Sequence, residues 1–151
     1  MKIVEDDLSG ASVAVLLKEH LEGMARHSPP QNIHALDLDE LRAPDVTFWT
    51  AWDNGELLGC GALKELNASH GEIKSMRTAR AHLRQGVAAT MLQHLVDECR
   101  RRSYLRLSLE TGSGAAFDPA ISLYEKFGFE HCGPFSEYRA DSFSRFMTLK
   151  L

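Results

Sequence analysis

A short glycine-containing segment, residues 83–89, has the composition of an anion-binding turn. It consists of Leu-Arg-Gln-Gly-Val-Ala-Ala and lies directly before the most regular amphipathic stretch of the chain. The first turn of a helix leaves several backbone N–H groups without partners and carries a partial positive charge, so backbone donors alone can hold a phosphate there. Gly86 and Ala88 keep side-chain bulk away from those donors, while Arg84 and Gln85 can add contacts to phosphate oxygens. A plain loop-to-helix turn would also contain such a glycine.

Other patterns that could carry chemistry fail on spacing. Residues 112–117 begin like a dinucleotide-binding fingerprint, but Phe117 stands at the position of the third glycine. The seven histidines form no His-x-x-x-His pair and no Cys/His cluster with zinc spacing, so we expect no metal site. Cys60, Cys99 and Cys132 are odd in number and lack a Cys-x-x-Cys spacing, which favours buried free thiols.

Length and composition indicate one soluble globular domain over residues 1–151. The 151 residues are 44% hydrophobic and 25% charged, close to the averages of globular proteins, and the formal net charge is −4. An acidic balance disfavours nucleic acid and anionic membranes as partners. No apolar run approaches the roughly 18 residues that cross a bilayer, and the amino terminus has no apolar signal-peptide core. We therefore expect a cytoplasmic protein.

The first half of the chain predicts two helices and a hairpin. Ser9 is a plausible N-cap for a helix whose apolar side carries Val13, Leu16, Leu17, Leu21 and Met24. Two prolines then end that helix, and residues 33–41 can form a short second one. Residues 46–52 and 57–63 are rich in β-formers and flank an Asn-Gly pair, which predicts an antiparallel hairpin.

The second half alternates between strands and helices. Residues 73–78 and 105–110 predict strands on either side of an amphipathic helix that begins at Val87. A further helix over 120–127 ends at Gly128, and two β-rich segments follow at 129–132 and 146–151. Such an order is typical of a sheet with helices packed on its faces.

Three segments in this order resemble the GNAT superfamily of acyl-CoA-dependent N-acyltransferases: residues 71–77, the glycine turn with its helix, and residues 122–129. The turn of that family follows the pattern Q/R-x-x-G-x-G/A, and Gly86 and Ala88 match its last two positions. Leu83 departs from it, since Gln or Arg is usual there. The resemblance implies an α/β (α+β) fold: a mixed, mostly antiparallel sheet of six to seven strands, about four helices packed on both faces, and central strands splayed to admit the cosubstrate.

The resemblance also implies acetyl-CoA as the cosubstrate, with no metal. The pyrophosphate would lie on the backbone amides of the turn and the pantetheine arm along the end of the strand before it. The residues concerned are Met76, Arg77, Thr78, Arg84, Gln85, Gly86, Val87, Ala88 and Ala89. The amide of Met76 would point at the thioester carbonyl, where a donor stabilises the developing oxyanion.

Two side chains acquire catalytic roles from the resemblance. Tyr124 matches the family tyrosine that gives a proton to the departing thiolate; without the resemblance it would be an aromatic residue packing on the sheet. Glu72 resembles the strand glutamate that deprotonates the amine in some members, and Glu110 is the reserve candidate. A water chain could replace either carboxylate, and Glu72 could equally be a surface carboxylate paired with a cation.

The predicted function is direct transfer of an acetyl group from acetyl-CoA to a primary amine of a small molecule or peptide. Alternatives are a non-catalytic acyl-CoA-binding or sensing domain and another nucleotide-binding enzyme with the same turn. We expect the acceptor to meet the first helix pair with residues 27–34, the hairpin and residues 135–143. We also expect a homodimer, for which the β-rich residues 146–149 could offer an exposed sheet edge.

Overall fold

A computed structural model describes all 151 residues and contains a seven-stranded sheet with four α-helices. The elements are β1 Lys2–Glu5, α1 Ala11–His27, α2 Leu38–Leu41, β2 Val46–Asp53, β3 Glu56–Asn67, β4 His70–Thr78, α3 Val87–Arg101, β5 Arg106–Thr111, α4 Asp118–Lys126, β6 Glu130–Cys132 and β7 Arg145–Lys150. The strand order is β1-β2-β3-β4-β5-β7-β6. All neighbours are antiparallel except β4 and β5, so the predicted mixed, mostly antiparallel sheet is confirmed.

The hairpin of β2 and β3 forms as the sequence predicts. Asn54 and Gly55 connect the strands, and both have left-handed backbone conformations, with φ of 49° and 78°. Positive φ at both central residues is the requirement of a type I′ turn, whose twist matches that of the flanking strands. This hairpin brings β3 into register beside β4.

The parallel pair β4 and β5 separates after a short contact. Only three residue pairs join the two strands, from His70 opposite Arg106 to Glu72 opposite Ser108. Further along β4, Ser75 and Met76 together lie opposite the single residue Gly61 of β3, which is a β-bulge. Ser75 has a φ of 50°, a left-handed conformation that bends the strand away from its neighbour. The predicted splay of the central strands is therefore present.

Helices cover both faces of the sheet, each over its own hydrophobic cluster. On one face α3 and α4 pack over a cluster of 17 buried residues, to which α3 contributes Val87, Met91, Leu92, Leu95, Val96 and Cys99. On the other face α1 and α2 cover a smaller cluster of eight. The spacing of the α3 residues follows the helical period, and this explains why the sequence located that helix correctly. No helix of the protein combines the length and the apolar character needed to cross a bilayer.

Three details of the amino-terminal half were predicted wrongly. Ser9 does not cap α1, because its hydroxyl donates to the Asp7 carboxylate (2.6 Å) and Gly10 occupies the cap position. The second helix is only Leu38–Leu41, closed by a reciprocal capping box between Asp37 and Glu40, since residues 33–37 are not helical. Leu21 also differs from the prediction: it points outward and is 42% exposed.

The carboxyl-terminal strands correct two further expectations. β7 lies between β5 and β6, so residues 146–149 are not a free sheet edge; the edge strands are β6 and β1, and β1 was not identified from the sequence. The homodimer stays a prediction without that edge as its basis. All three cysteines are free thiols, but Cys132 is exposed because β6 is a three-residue edge strand without a buried position.

The packing of α3 on the sheet gives a direct test of the fold. Leu95 is fully buried against β3, so Leu95→Ala should lower the free energy of unfolding by about 2–5 kcal/mol. Leu105 is 66% exposed, and Leu105→Ala should change it by less than about 0.5 kcal/mol. Denaturant titrations of both variants measure the difference, and equal effects would contradict this packing.

Candidate active site

The separation of β4 and β5 opens a cleft of 230 Å³ that reaches through the sheet. Because successive side chains of a strand point to opposite faces, the diverging strands line it from both sides. Leu109 belongs to the core cluster beneath α3 and α4, whereas Glu110 and Lys74 lie toward α1. From residue 73 to Thr78, β4 pairs with β3 on one edge and with no strand on the other. This part of its backbone is therefore available to a ligand.

The glycine turn before α3 presents a run of free backbone donors. Gly86 caps the helix with a φ of 82°, and Arg84 has a φ of 62°. The N–H groups of residues 84–89 make no hydrogen bond within the protein. A Cβ at Gly86 would meet nothing within 4 Å, so the backbone conformation rather than lack of space requires glycine there. Leu83, at the position where the GNAT pattern has Gln or Arg, is 54% exposed.

Tyr124 lines the cleft from α4. Its ring packs on Phe129, with centroids 5.6 Å apart, and its hydroxyl makes no hydrogen bond within the protein. Burial raises the pKa of Tyr124 to about 12, so the phenol keeps its proton at neutral pH. The ring thus has a packing role, and its protonated hydroxyl has no partner within the protein; the proton-donor role stays a prediction.

Glu110, the reserve candidate, lines the same cleft from β5. Burial raises its pKa to about 7, with the carboxylates of Glu72 and Asp141 acting in the same direction, while Ser144 and the Lys74 ammonium oppose the shift. A carboxyl group with this pKa is half ionised near neutral pH, which is the condition for an effective general base.

Glu72 lies in an adjoining cleft, and its carboxylate already has two partners within the protein. It is 2% exposed, accepts a hydrogen bond from the Tyr138 hydroxyl (2.5 Å) and lies 3.4 Å from the Lys74 ammonium. Lys74 also donates to the Tyr138 hydroxyl (2.7 Å) and to the His34 carbonyl (3.1 Å). Burial and the Glu72 carboxylate raise the pKa of Tyr138. Sequence reasoning missed Lys74 and Tyr138, because Tyr138 follows no periodic pattern and Lys74 is one polar residue of a strand.

The adjoining cleft has a volume of 650 Å³ and shares His34, Ala35 and Lys74 with the first. Side chains of both charges line it: Glu40, Glu72, Glu137 and Asp141, with Lys64, Lys74 and Arg139. The buried Asn32 amide donates to Asp141 (2.5 Å) and to Ser144 (3.0 Å). These bonds join the segment after α1 to the segment before β7, two of the regions that the sequence assigned to the acceptor.

Arg77 uses its side chain to hold α1 against β4. Its Nε donates to His20 Nδ1 (3.0 Å) and its Nη2 to the His20 carbonyl (3.1 Å). A Cβ at Gly23 would lie 2.6 Å from Nη2, which explains the glycine at that point of α1. Met76 packs its side chain against the core beneath α3, and Thr78 pairs with Gly59. Met76 and Arg77 line the cleft, and the cosubstrate contact of Met76, Arg77 and Thr78 stays a prediction.

Solved structures share this architecture over nearly the whole chain. A Klebsiella pneumoniae protein described as an acyl-CoA N-acyltransferase superposes with a TM-score of 0.78 at 26% identity, covering 99% of this chain and 97% of that one. A GNAT family acetyltransferase from Elizabethkingia anophelis with acetyl-CoA bound superposes with a TM-score of 0.70 at 17% identity, with the same coverage. The second similarity shows the fold.

Sequence comparison extends the likeness to the family. The Bacillus subtilis (strain 168) protein named uncharacterized N-acetyltransferase YsnE is 58% identical over 151 residues, all of both chains. The model of the Acetyltransferase (GNAT) family matches residues 13–129, which include the splayed strands, the glycine turn and Tyr124. This chain is therefore a member of the GNAT acetyltransferase family.

Proposed function

We propose that this protein transfers the acetyl group of acetyl-CoA to the primary amine of a small molecule or peptide by direct attack. The observation that carries the proposal is the pairing of Tyr124 and Glu110 in one cleft. Burial keeps the phenol protonated and leaves the carboxyl half ionised near pH 7. One group can therefore give a proton and the other accept one at the same pH.

The residues around the cleft fit acetyl-CoA, which supplies the acetyl group as a thioester. Free amides at residues 84–89, with left-handed backbone at Arg84 and Gly86, form a concave set of donors suited to a pyrophosphate. The unpaired edge of β4 supplies backbone donors and acceptors for the amides of the pantetheine arm. The bulge sets the Met76 amide apart from the regular ladder, so this N–H can stabilise charge that develops on the carbonyl oxygen.

Protons then follow two short routes. The acceptor reaches the protein as an ammonium and must lose a proton before its nitrogen can attack, and Glu110 takes that proton. After attack the nitrogen loses a second proton to solvent, while Tyr124 donates to the departing sulfur and recovers its proton from solvent. The net products are therefore the amide, free coenzyme A and one proton, the one that Glu110 releases. The reaction requires no acyl-enzyme.

Contacts within the protein favour Glu110 over Glu72 as the base. Glu72 is held by Tyr138 and Lys74 and lines the adjoining cleft, whereas Glu110 lies in the cleft of Tyr124. Glu72 as the base stays a prediction from sequence. Its contacts suit it to positioning Tyr138 and Lys74 on the acceptor side.

Binding of acetyl-CoA tests whether the glycine turn holds the pyrophosphate. Gly86→Glu should weaken acetyl-CoA binding by more than about tenfold, because a side chain and a negative charge would meet the pyrophosphate. Gly55→Glu is the matched control: Gly55 also has a positive φ and open space around it, but lies in the hairpin turn. Calorimetric titration with acetyl-CoA, and with NAD and ATP in parallel, measures both variants.

Two results of that titration would contradict the proposal. Folded wild-type protein without affinity for acetyl-CoA would remove the transferase and the acyl-CoA sensor together. Tighter binding of ATP or NAD than of acetyl-CoA would instead indicate a different nucleotide-binding enzyme on the same turn.

Tyr124→Phe separates catalysis from binding. Loss of the hydroxyl should lower kcat by about 10²-fold while the Kd of acetyl-CoA stays unchanged, because the ring still packs on Phe129. Thiol release with a panel of amines measures kcat, and calorimetry measures Kd. An unchanged kcat would reduce Tyr124 to a packing residue, and absence of thiol release from wild type with every amine would favour the sensing alternative.

The pH dependence of turnover distinguishes the two carboxylates. Wild-type turnover should rise as the pH increases through about 7, because Glu110 becomes ionised there, and Glu110→Gln should abolish this rise and lower turnover by about 10²-fold. Glu72→Gln should keep the rise but lower stability by about 1.5–3 kcal/mol, since Lys74 and Tyr138 lose a charged partner. The same acceptor is used for every variant, so the titration of its amine contributes equally to each pH profile and the differences come from the protein. Loss of the rise in Glu72→Gln alone would assign the base to Glu72.

A further inference from the structure

Helix α1 presents two imidazoles to the cleft, those of His27, which is exposed, and His20. His20 lies on the buried face of the helix, is 8% exposed and lines the same cleft as Tyr124 and Glu110. Neither the acyl transfer nor the core uses this side chain. Its only partner within the protein is Arg77.

The bond from Arg77 fixes the tautomer of the ring. A guanidinium Nε–H only donates, so His20 Nδ1 is the acceptor of that bond and carries no proton. Burial and the charge of Arg77 lower the pKa of His20 to about 4, which keeps the ring neutral at physiological pH. A neutral ring with a bare Nδ1 has its proton on Nε2. The second bond, from Nη2 to the His20 carbonyl, holds the helix in place.

The resulting Nε2–H donor has no partner. It makes no hydrogen bond within the protein, and protein atoms do not fully enclose it. A donor that reaches the cleft without a protein partner can donate to an oxygen of a bound ligand. Because the tautomer is fixed, His20 can donate to a substrate but cannot take its proton.

The charges around this donor favour an anionic oxygen. The charge that acts on the His20 ring is that of the Arg77 guanidinium, which donates to Nδ1. Glu110, in the same cleft, has the Glu72 and Asp141 carboxylates and the Lys74 ammonium for neighbours.

We propose that His20, through its Nε2–H, recognises a carboxylate of the acyl acceptor, which is therefore an amine that also carries a carboxylate, such as an amino acid. Arg77 is the positioning residue that holds the imidazole in the donating tautomer. This inference rests on the proposed function, because it needs the acceptor amine beside Glu110 while the carboxylate lies at His20.

Matched acceptors test the proposal. Wild-type protein is assayed by thiol release with amino acids, the corresponding amino acid amides, and the amines without the carboxyl group. The carboxylate should raise kcat/KM by about 10- to 100-fold over the amide, as expected for one hydrogen bond to a charged group. His20→Phe should remove that preference, so that amino acids and their amides have similar kcat/KM.

Two controls guard against a purely structural effect. His20→Gln retains an N–H donor and should recover part of the preference for carboxylates. His131→Phe alters an exposed histidine of the edge strand β6 that lines neither cleft, and it should leave the preference intact. Melting temperatures and the Kd of acetyl-CoA are measured for each variant, and both should stay near the wild-type values in His20→Gln.

The outcomes that overturn the inference differ from those that overturn the proposed function. Equal kcat/KM for amino acids and their amides, or weaker acetyl-CoA binding in His20→Phe with an unchanged acceptor preference, would overturn the role of His20 and leave the transferase standing. No acetyl-CoA binding would overturn both. Calorimetric titration of the acceptors into the complex with coenzyme A gives the same comparison without turnover. A preference for carboxylates that persists in His20→Phe would also contradict the role of His20.

Discussion

The early end of the pairing between β4 and β5 is the constraint on which the rest of the molecule depends. Three residue pairs hold the parallel strands together, and the bulge at Ser75 and Met76 then directs β4 away. The gap connects the two faces of the sheet, so side chains from both faces line one cleft. Helices α3 and α4 bring the turn of free amides and a phenol from one side, α1 brings an imidazole from the other, and β4 and β5 themselves carry the carboxylates Glu72 and Glu110. Neither face alone contains all of the groups on which the proposed acyl transfer depends.

The two buried carboxylates illustrate how environment assigns roles to identical chemistry. Glu72 has a cation and a phenol for partners, whereas burial dominates at Glu110 and outweighs the Ser144 hydrogen bond and the Lys74 ammonium. Burial that outweighs the compensating partners raises the pKa of a carboxyl group and suits it to exchanging a proton near neutral pH. The partners of both groups come from β4 and from the segment before β7 that contains Tyr138.

Periodic elements were predictable from the sequence, and contacts between irregular segments were not. Helix α3 and the β2–β3 hairpin follow from apolar spacing and from Asn54-Gly55, and the glycine turn follows from its position before α3. Ser9 failed as a cap because Asp7 competes for its hydroxyl, and the order of β7 and β6 depends on pairing that no local pattern encodes. Contacts such as Tyr138 with Glu72 or Arg77 with His20 join residues 66 and 57 positions apart, which a single sequence does not reveal.

Glu110 also has a consequence for the folded state as a whole. In the unfolded chain its carboxyl group titrates near 4.5, and in the folded protein at about 7, so the native state binds the proton more tightly between these values. By linkage, the contribution of this residue to the free energy of unfolding falls as the pH rises from about 4.5 to about 7 and stays low above that. Above about pH 7 the ligand-free protein therefore carries an ionised Glu110 at a cost to its own stability. An ammonium group bound beside Glu110 relieves that cost, so binding of the acceptor and resistance to unfolding increase together.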